Sequence, residues 1–388
     1  MKITILVGGR FHAFNLAEEI DKKGYLLQLI TSYPKFYIKK NFKIDLKKIK
    51  TIIFKEIVSR IPFINKILED YISNYFEKTA SKILNLNDTD ILIGWSGFSL
   101  SSFHKAKKYK IIKVLERGST HIKFQRDILL QEYTLLGIKP SLPSENIINK
   151  ELKEYDLADY IIVPSEFAKK TFLENGFKKE KIIKIPYGVN IHDFQKTIVK
   201  REENIFRFIY VGACSVRKGI IYLLKAFDEL NLKNSELLII GNIENELKPI
   251  ISEFLNNKQI KYYKSQNQKD LNKFYNISDA FVTCSLEEGL SMVQLQAMAC
   301  GLPLICTPNA GSEDIIENDI DGFITPIRDI EMLKNKMRFF YENPNISKKM
   351  GESAKKKSTN FLTWENYGEK VIKTYSEILK KKNEEEKD

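Results

Sequence analysis

From residue 284 to residue 316 the chain runs Cys-Ser-Leu-Glu-Glu-Gly-Leu-Ser-Met-Val-Gln-Leu-Gln-Ala-Met-Ala-Cys-Gly-Leu-Pro-Leu-Ile-Cys-Thr-Pro-Asn-Ala-Gly-Ser-Glu-Asp-Ile-Ile. Glu288 sits on a glycine-containing loop, a short helix and an apolar strand follow, and a second loop carries Gly311 and Ser312. At the helix start Gly289, Leu290, Ser291 and Met292 offer backbone N–H groups, and the positive helix end favours an anion there. A carboxylate can accept from sugar hydroxyls while such amides hold phosphates. That combination suits a nucleotide sugar.

A second stretch, Val211-Gly212-Ala213-Cys214-Ser215-Val216-Arg217-Lys218-Gly219, ends a strand at a glycine and places two cations before a glycine that opens a helix. Diphosphate binding needs N–H donors and fixed cations at such a helix start. Gly8-Gly9-Arg10 likewise closes an apolar strand, although any strand-to-helix turn could use that glycine pair. Glu116-Arg117-Gly118-Ser119-Thr120-His121 follows the apolar run 111–115, where parallel-sheet sites form. Arg117 could bind an acceptor phosphate or carboxylate, or pair with Glu132 or Asp127. His121 could equally cap a helix or pack in the core.

At these residues the chain resembles the retaining, two-domain (GT-B) glycosyltransferases of family 4. The family's Glu–seven residues–Glu signature is matched by Glu288 at its first position, and Ala297-Met298-Ala299-Cys300-Gly301-Leu302-Pro303 follows. The second glutamate is replaced by Gln296. The resemblance continues through 156–194, which looks like the family's interdomain crossing, and through 208–227. It implies that Lys218, with Arg217, holds the donor diphosphate and that Glu288 meets the donor sugar. By the same resemblance, Gln296 faces the ribose, His121 contacts the sugar, and Gly8 and Gly9 lie near the diphosphate. Lys218, Glu288 and His121 are the catalytic candidates, and Arg10 and Arg117 the acceptor-side ones.

Two departures bear on donor binding. Ala213 stands where the family has a diphosphate-binding arginine, and a neutral Gln296 accepts without charge assistance, a loss of roughly 1 kcal/mol. These motifs hold no Asp-x-Asp pair for a divalent ion, so the expectation is a metal-independent reaction with no cofactor beyond the nucleoside diphosphate sugar. The resemblance implies a hexosyl transfer to a growing surface polysaccharide or lipid-linked glycan. A catalytically silent, nucleotide-binding subunit is the competing expectation, supported by Ala213 and Gln296.

The chain's 388 residues are 43% hydrophobic and 29% charged, a globular composition with room for two or three domains. No apolar run approaches the ~18 residues of a membrane-spanning helix. The cysteines, Cys214, Cys284, Cys300 and Cys306, follow no metal or disulfide spacing and read as small buried residues in a reducing cytoplasm. Part of the net charge of +12 is concentrated at Lys35, Lys39, Lys40, Lys43, Lys47, Lys48, Lys50 and Lys55, interleaved with Tyr33, Phe36, Tyr37, Phe42 and Phe54. That segment suits the anionic inner face of a cytoplasmic membrane, or is an ordinary solvated face. No nucleic-acid motif accompanies the charge.

The elements that must carry these residues alternate. Apolar strands are expected near 2–7, 25–31, 90–94, 111–115, 160–163 and 182–185, and again at 208–211, 236–240, 280–284, 304–306 and 322–325. Residues 40–85 read as mostly helical with a break at Pro62, and 190–204 as a linker. Two runs of β/α alternation predict an α/β protein with two Rossmann-like doubly wound domains facing a cleft. The expected division is an acceptor-binding domain at 1–190, a nucleotide-sugar-binding domain at 204–361, and a tail helix at 362–382 returning to the first domain. The last eight residues are expected to fray.

Overall fold

The computed structural model describes residues 1–58, 64–202 and 204–385, with backbone only for 64–70. The first sheet contains β1 (Ile3–Val7), β2 (Leu26–Thr31), β3 (Ile49–Thr51), β4 (Ile91–Trp95), β5 (Ile112–Glu116), β6 (Tyr160–Val163) and β7 (Ile182–Lys184). The second contains β8 (Phe206–Val211), β9 (Ser235–Ile240), β10 (Ile260–Tyr263), β11 (Ala280–Val282), β12 (Leu304–Cys306) and β13 (Gly322–Ile324). Their orders are β3-β2-β1-β4-β5-β6-β7 and β10-β9-β8-β11-β12-β13, and the paired strands run parallel. Helices cover both faces, so central strands such as β1 and β4 are buried at every residue and read as continuous apolar runs.

Strand order reverses between β1 and β4 in one sheet and between β8 and β11 in the other. At such a switch point the flanking crossovers leave in opposite directions and open a crevice beyond the carboxyl ends of the strands. The loops that line those crevices are 8–12 and 96–99 in the first domain, and 212–219 and 283–291 in the second. Arg217, Lys218 and Glu288 to Ser291 therefore lie on switch-point loops, with Met292 and Gln296 on the helix that follows.

The two-sheet fold agrees with the alternation. The reading of 40–85 as mostly helical agrees with the helices Lys35–Asn41, Phe54–Val58 and Ile64–Ile83, but the segment also contains the strand β3, which the pattern did not show. Ile49 is fully buried, so three residues at the sheet edge gain enough from pairing with β2 to override a lysine-rich local pattern. The break expected at Pro62 lies outside the described residues. The tail stays helical over Trp364–Glu385, farther than expected, while 386–388 lie outside the described residues.

That tail helix buries Trp364, Tyr367, Val371 and Tyr375 against the first domain, with Tyr375 Oη 3.4 Å from Glu116. Where the chain crosses between domains the two crossings touch. The Val189 N–H donates to the Leu362 carbonyl at 2.8 Å, and Val189 bridges Thr363. The contact is so close that a Cβ on Gly188 would stand 2.4 Å from the backbone of Thr363 and Trp364. The described residues of the 190–204 stretch form no regular element but are pinned to the second domain by Thr197 on Asn276 and Arg201 on Asp279.

Candidate active site

The two cations and the acid come together. The short 3-10 turn Val216–Lys218 ends at Gly219, whose φ of +61° a side chain rarely adopts; a Cβ there would also lie 2.1 Å from the Cys284 carbonyl oxygen. This glycine lets the 212–219 loop pass against the 283–291 loop. Lys218 Nζ then ion-pairs with Glu288 Oε1, which also accepts from Ser285 Oγ at 2.8 Å. Burial alone would raise the Glu288 carboxyl, but Lys218 and Arg217 outweigh it and hold it below the usual carboxylate range. Burial, with Arg217 nearby, draws the Lys218 ammonium down from its usual value. A lysine and a carboxylate that only neutralise each other in a crevice are both available to a ligand bringing an anion and hydroxyls.

Arg217 turns to the neighbouring carboxylate. Its Nη1 donates to the Glu287 carbonyl at 3.1 Å and stands 3.6 Å from Glu287 Oε2. Glu287, absent from the sequence-based candidates, is the most connected residue of the loop. Its Oε1 accepts from Ser119 Oγ (2.5 Å), Thr120 N (3.0 Å) and Thr120 Oγ1 (2.6 Å), all in the first domain. Its side chain is fully buried, and its Oε2 is buried with no hydrogen-bond partner among the described residues. The only sequence signal was a second acid beside Glu288 in an otherwise apolar run.

The same loop is wedged against the first domain at two further points. Ser165 caps the helix Glu166–Glu174 and also donates to the Gly289 carbonyl at 2.5 Å. A Cβ on Gly289 would come within 2.4 Å of the Gly118 carbonyl oxygen, so glycine is needed for the close approach. Elsewhere across the interface Glu132 accepts from Tyr222 (2.7 Å) and Arg328 (2.6 Å), and Arg10 donates to Gln268 at 3.0 Å.

The remaining candidates are placed as follows. Ser291 donates its N–H to the Ala310 carbonyl at 3.1 Å, so it does not offer a free donor at the start of the helix Met292–Ala299; Leu290 and Met292 flank it. Gln296 is 8% exposed, and its Oε1 accepts from Tyr275 Oη at 3.1 Å. Gly8 packs under the Phe98 ring and Gly9 under Phe11, which adopts a φ of +37° at the cleft-side turn. His121 caps the helix Ile122–Leu136 by accepting from Lys123 N and packs against Tyr155, Phe172 and Phe177, the packing alternative among the expectations. Burial, reinforced by Arg117, draws its imidazole down to about 4, so it is neutral at pH 7.

Arg117 is not free to meet an acceptor. It is 8% exposed, with Nε on the Thr120 carbonyl at 2.9 Å, Nη2 on Gln125 at 2.9 Å and Nη1 3.0 Å from Glu151 Oε2. Neither Glu132 nor Asp127 is its partner; Glu151, 34 residues away, is. Two Asp-x-Asp pairs outside the motif stretches are engaged structurally. Asp88 and Asp90 meet Lys2, and Asp321 meets Lys357 and Ser353. The cysteines are buried free thiols. No described helix is long and apolar enough to cross a membrane.

With this geometry in place, comparison with known proteins is informative. Residues 192–357 match the family model described as glycosyl transferases group 1. An uncharacterized glycosyltransferase from Methanocaldococcus jannaschii is 29% identical over 71% of this chain and 69% of its own length. A capsular polysaccharide biosynthesis glycosyltransferase from Staphylococcus aureus is 26% identical over 57% of this chain and 62% of its own. Among solved structures, sucrose-phosphate synthase from Thermosynechococcus elongatus superposes with a TM-score of 0.76 at 16% identity, covering 97% of this chain and 99% of that one. That likeness, with the two parallel sheets, shows the GT-B fold.

Proposed function

With residues 192–357 carrying a group 1 glycosyl transferase domain on a GT-B fold, we propose that the protein moves a hexose from a nucleoside diphosphate sugar to a surface polysaccharide or lipid-linked glycan. Retention of configuration and independence of metal are part of the proposal. The observation that carries it is the Lys218–Glu288 ion pair on adjoining switch-point loops. The name of the Staphylococcus aureus relative supports the choice of acceptor class.

In the proposed reaction the donor diphosphate takes Lys218 and Arg217, and Glu288, released from Lys218, accepts from hydroxyls of the sugar. Charge builds on the leaving diphosphate as the sugar becomes oxocarbenium-like, and the two cations stabilise it most in that state. The acceptor hydroxyl attacks from the face the diphosphate leaves, forming the new C–O bond as the C1–O bond to phosphate breaks, and a phosphate oxygen takes its proton. Gln296 accepts from the ribose without charge assistance, which makes donor binding weaker rather than abolishing it.

The test is acceptor-dependent release of nucleoside diphosphate, with Glu288→Ala as control and anomeric configuration read by NMR. No release from the wild type, or equal release from Glu288→Ala, would favour the silent-subunit reading that Ala213 and Gln296 support. Loss of activity with a chelator and its return with magnesium would refute metal independence.

Peripheral attachment at the inner face of a cytoplasmic membrane belongs to the same proposal. Its support is narrower than the sequence pattern: Tyr33, Tyr37 and Phe42 pack beside Phe14 in the core, while Phe36 is 76% exposed among Lys39, Lys40 and Lys43. Lys55 turns toward the Phe98 ring at 5.2 Å instead.

A further inference from the structure

A cavity of about 660 Å³ lies in the second domain between the interdomain crossing at 196–201, the turn at Gly301 and the start of the helix Pro344–Phe361. That size falls within the ~300–1,000 Å³ of small-molecule sites. Phe206, Asp279 and Pro303 also line it, each at or just before the first residue of β8, β11 or β12. The cavity therefore sits at the amino ends of these strands, at the opposite end of the sheet from the 212–219 and 283–291 loops. A donor held on those loops leaves it untouched.

The charges of the lining do not balance. Arg201 is paired with Asp279 at 2.8 Å. The others are Lys196, Lys348 and Lys355 against the single acid Glu352, and no ion pair joins them among the described residues. The lysine stems converge, because a Cβ built on Gly301 would stand 3.8 Å from the Cδ of both Lys196 and Lys355. Lys196 reaches the surface, yet partial desolvation of its ammonium, then the neighbouring Arg201, draws it below its usual value. Lys348 adds to that repulsion, against the pull of Asp279 and Cys300.

The start of the helix Pro344–Phe361 has the same bias. The positive end of a helix favours acids in its first turn. Here the first turn has none, Lys348 and Lys349 come directly after it, and Asn343 makes no capping bond. The N–H groups of Asn345 and Ile346 are thus left for another acceptor. Ser347 is 2% exposed and lines the cavity, and its Oγ has no hydrogen-bond partner among the described residues. A buried hydroxyl without an acceptor is costly. A solvated lysine face would explain the cations alone; it explains neither the uncapped helix start nor Ser347. An anion with several acceptor oxygens answers all three.

We propose that this cavity is a second anion site, and that it takes a small phosphorylated molecule other than the sugar donor. The phosphate meets Lys196, Lys348 and Lys355 beside the helix start, and Phe206, Leu302 and Pro303 face the rest of the molecule. The inference does not depend on the transferase reading.

The test is a titration of the full-length protein with pyrophosphate at constant ionic strength. Amide NMR signals are followed at Gly301 and Ser347 for this site, and at Gly219 and Gly289 for the donor loops. Saturable shifts at Gly301 and Ser347 are expected with wild type. In Lys196→Glu and in Lys348→Glu, both at exposed positions, the affinity read there should fall at least about tenfold, while the response at Gly219 and Gly289 stays as in wild type. Lys258→Glu, the same charge change at an exposed position outside the lining, should alter neither. Three results would each overturn the assignment: no shift at Gly301 and Ser347, an affinity there that survives both lining variants, or one that falls equally with Lys258→Glu. Because the donor loops are read separately, a missing response at Gly219 and Gly289 counts against the transferase reading alone.

Discussion

Replacing Glu288 by glutamine should have opposite effects on donor affinity and on turnover. The side chains of Lys218 and Glu288 are only 14% and 10% exposed, so the substitution leaves a buried ammonium with Arg217 beside it and only the Glu287 carboxylate, already 3.6 Å from Arg217, as counter-charge. Breaking a buried pair from one side costs about 3–5 kcal/mol; a glutamine that still accepts a hydrogen bond places the cost near ~3 kcal/mol. For a domain of this size 1 kcal/mol is roughly 2–4 °C, so the second domain should melt ~6–12 °C lower. A nucleoside diphosphate restores the missing anion, and in the variant it no longer has to displace Glu288. Recovering even half of the lost energy tightens binding about tenfold, since 1.4 kcal/mol is one decade. The assays are scanning fluorimetry with and without UDP, GDP and ADP, calorimetry for the nucleotide that binds, and sugar turnover. The expected pattern is a lower melting point, a larger nucleotide-induced shift and a collapse of turnover. An unchanged melting point, or weaker nucleotide binding, would refute the reasoning.

Further expectations concern the interface, the ribose site and pH. Glu287→Gln weakens three bonds to Ser119 and Thr120 and the attraction to Arg217; charge-assisted bonds are worth ~1.5–3 kcal/mol each, so small-angle scattering should show a larger radius of gyration than wild type. Gln296→Glu should tighten nucleotide binding roughly fivefold through a charge-assisted bond of about 1 kcal/mol to the ribose, read by calorimetry. Burial pushes the Glu154 carboxyl up to about 8 against the pull of the Ser99 and Gly97 N–H groups. A carboxyl raised in the folded state contributes stability present below its unfolded value near 4.5 and lost as pH rises through 8, so the melting temperature should fall between those pH values. Glu154→Gln should flatten that slope, and a slope unaltered by the substitution would count against the assignment.

Much of this was legible because parallel sheets write themselves plainly. β1, β4 and β8 are apolar runs closed by glycine or small residues, and the helix between β11 and β12 carries its motif within one short segment. Less legible was whatever depends on distant partners. Glu287 meets Thr120 from 167 residues away, and nothing local shows that it faces the other domain while Glu288 faces Lys218. Arg117 looked available because its partner, Glu151, lies on a helix that the sequence reading had not marked. β3 and β10 were missed for a related reason: both lie at sheet edges, where three or four residues pair on one side only and carry little apolar signal.

The touching crossings at Val189 and Thr363 have a mechanical consequence. A single tether would let one domain swivel, slide and tilt against the other. Two strands clasped side by side act as the pin of a hinge, and leave rotation about one axis as the easy motion. Rotation about that axis would swing the Glu287 loop away from Ser119 and Thr120 along a single arc, and reversal would return it to the same register. Cutting the chain just before Leu362 would remove half of the pin, and with it the guarantee that every closure rebuilds the same site.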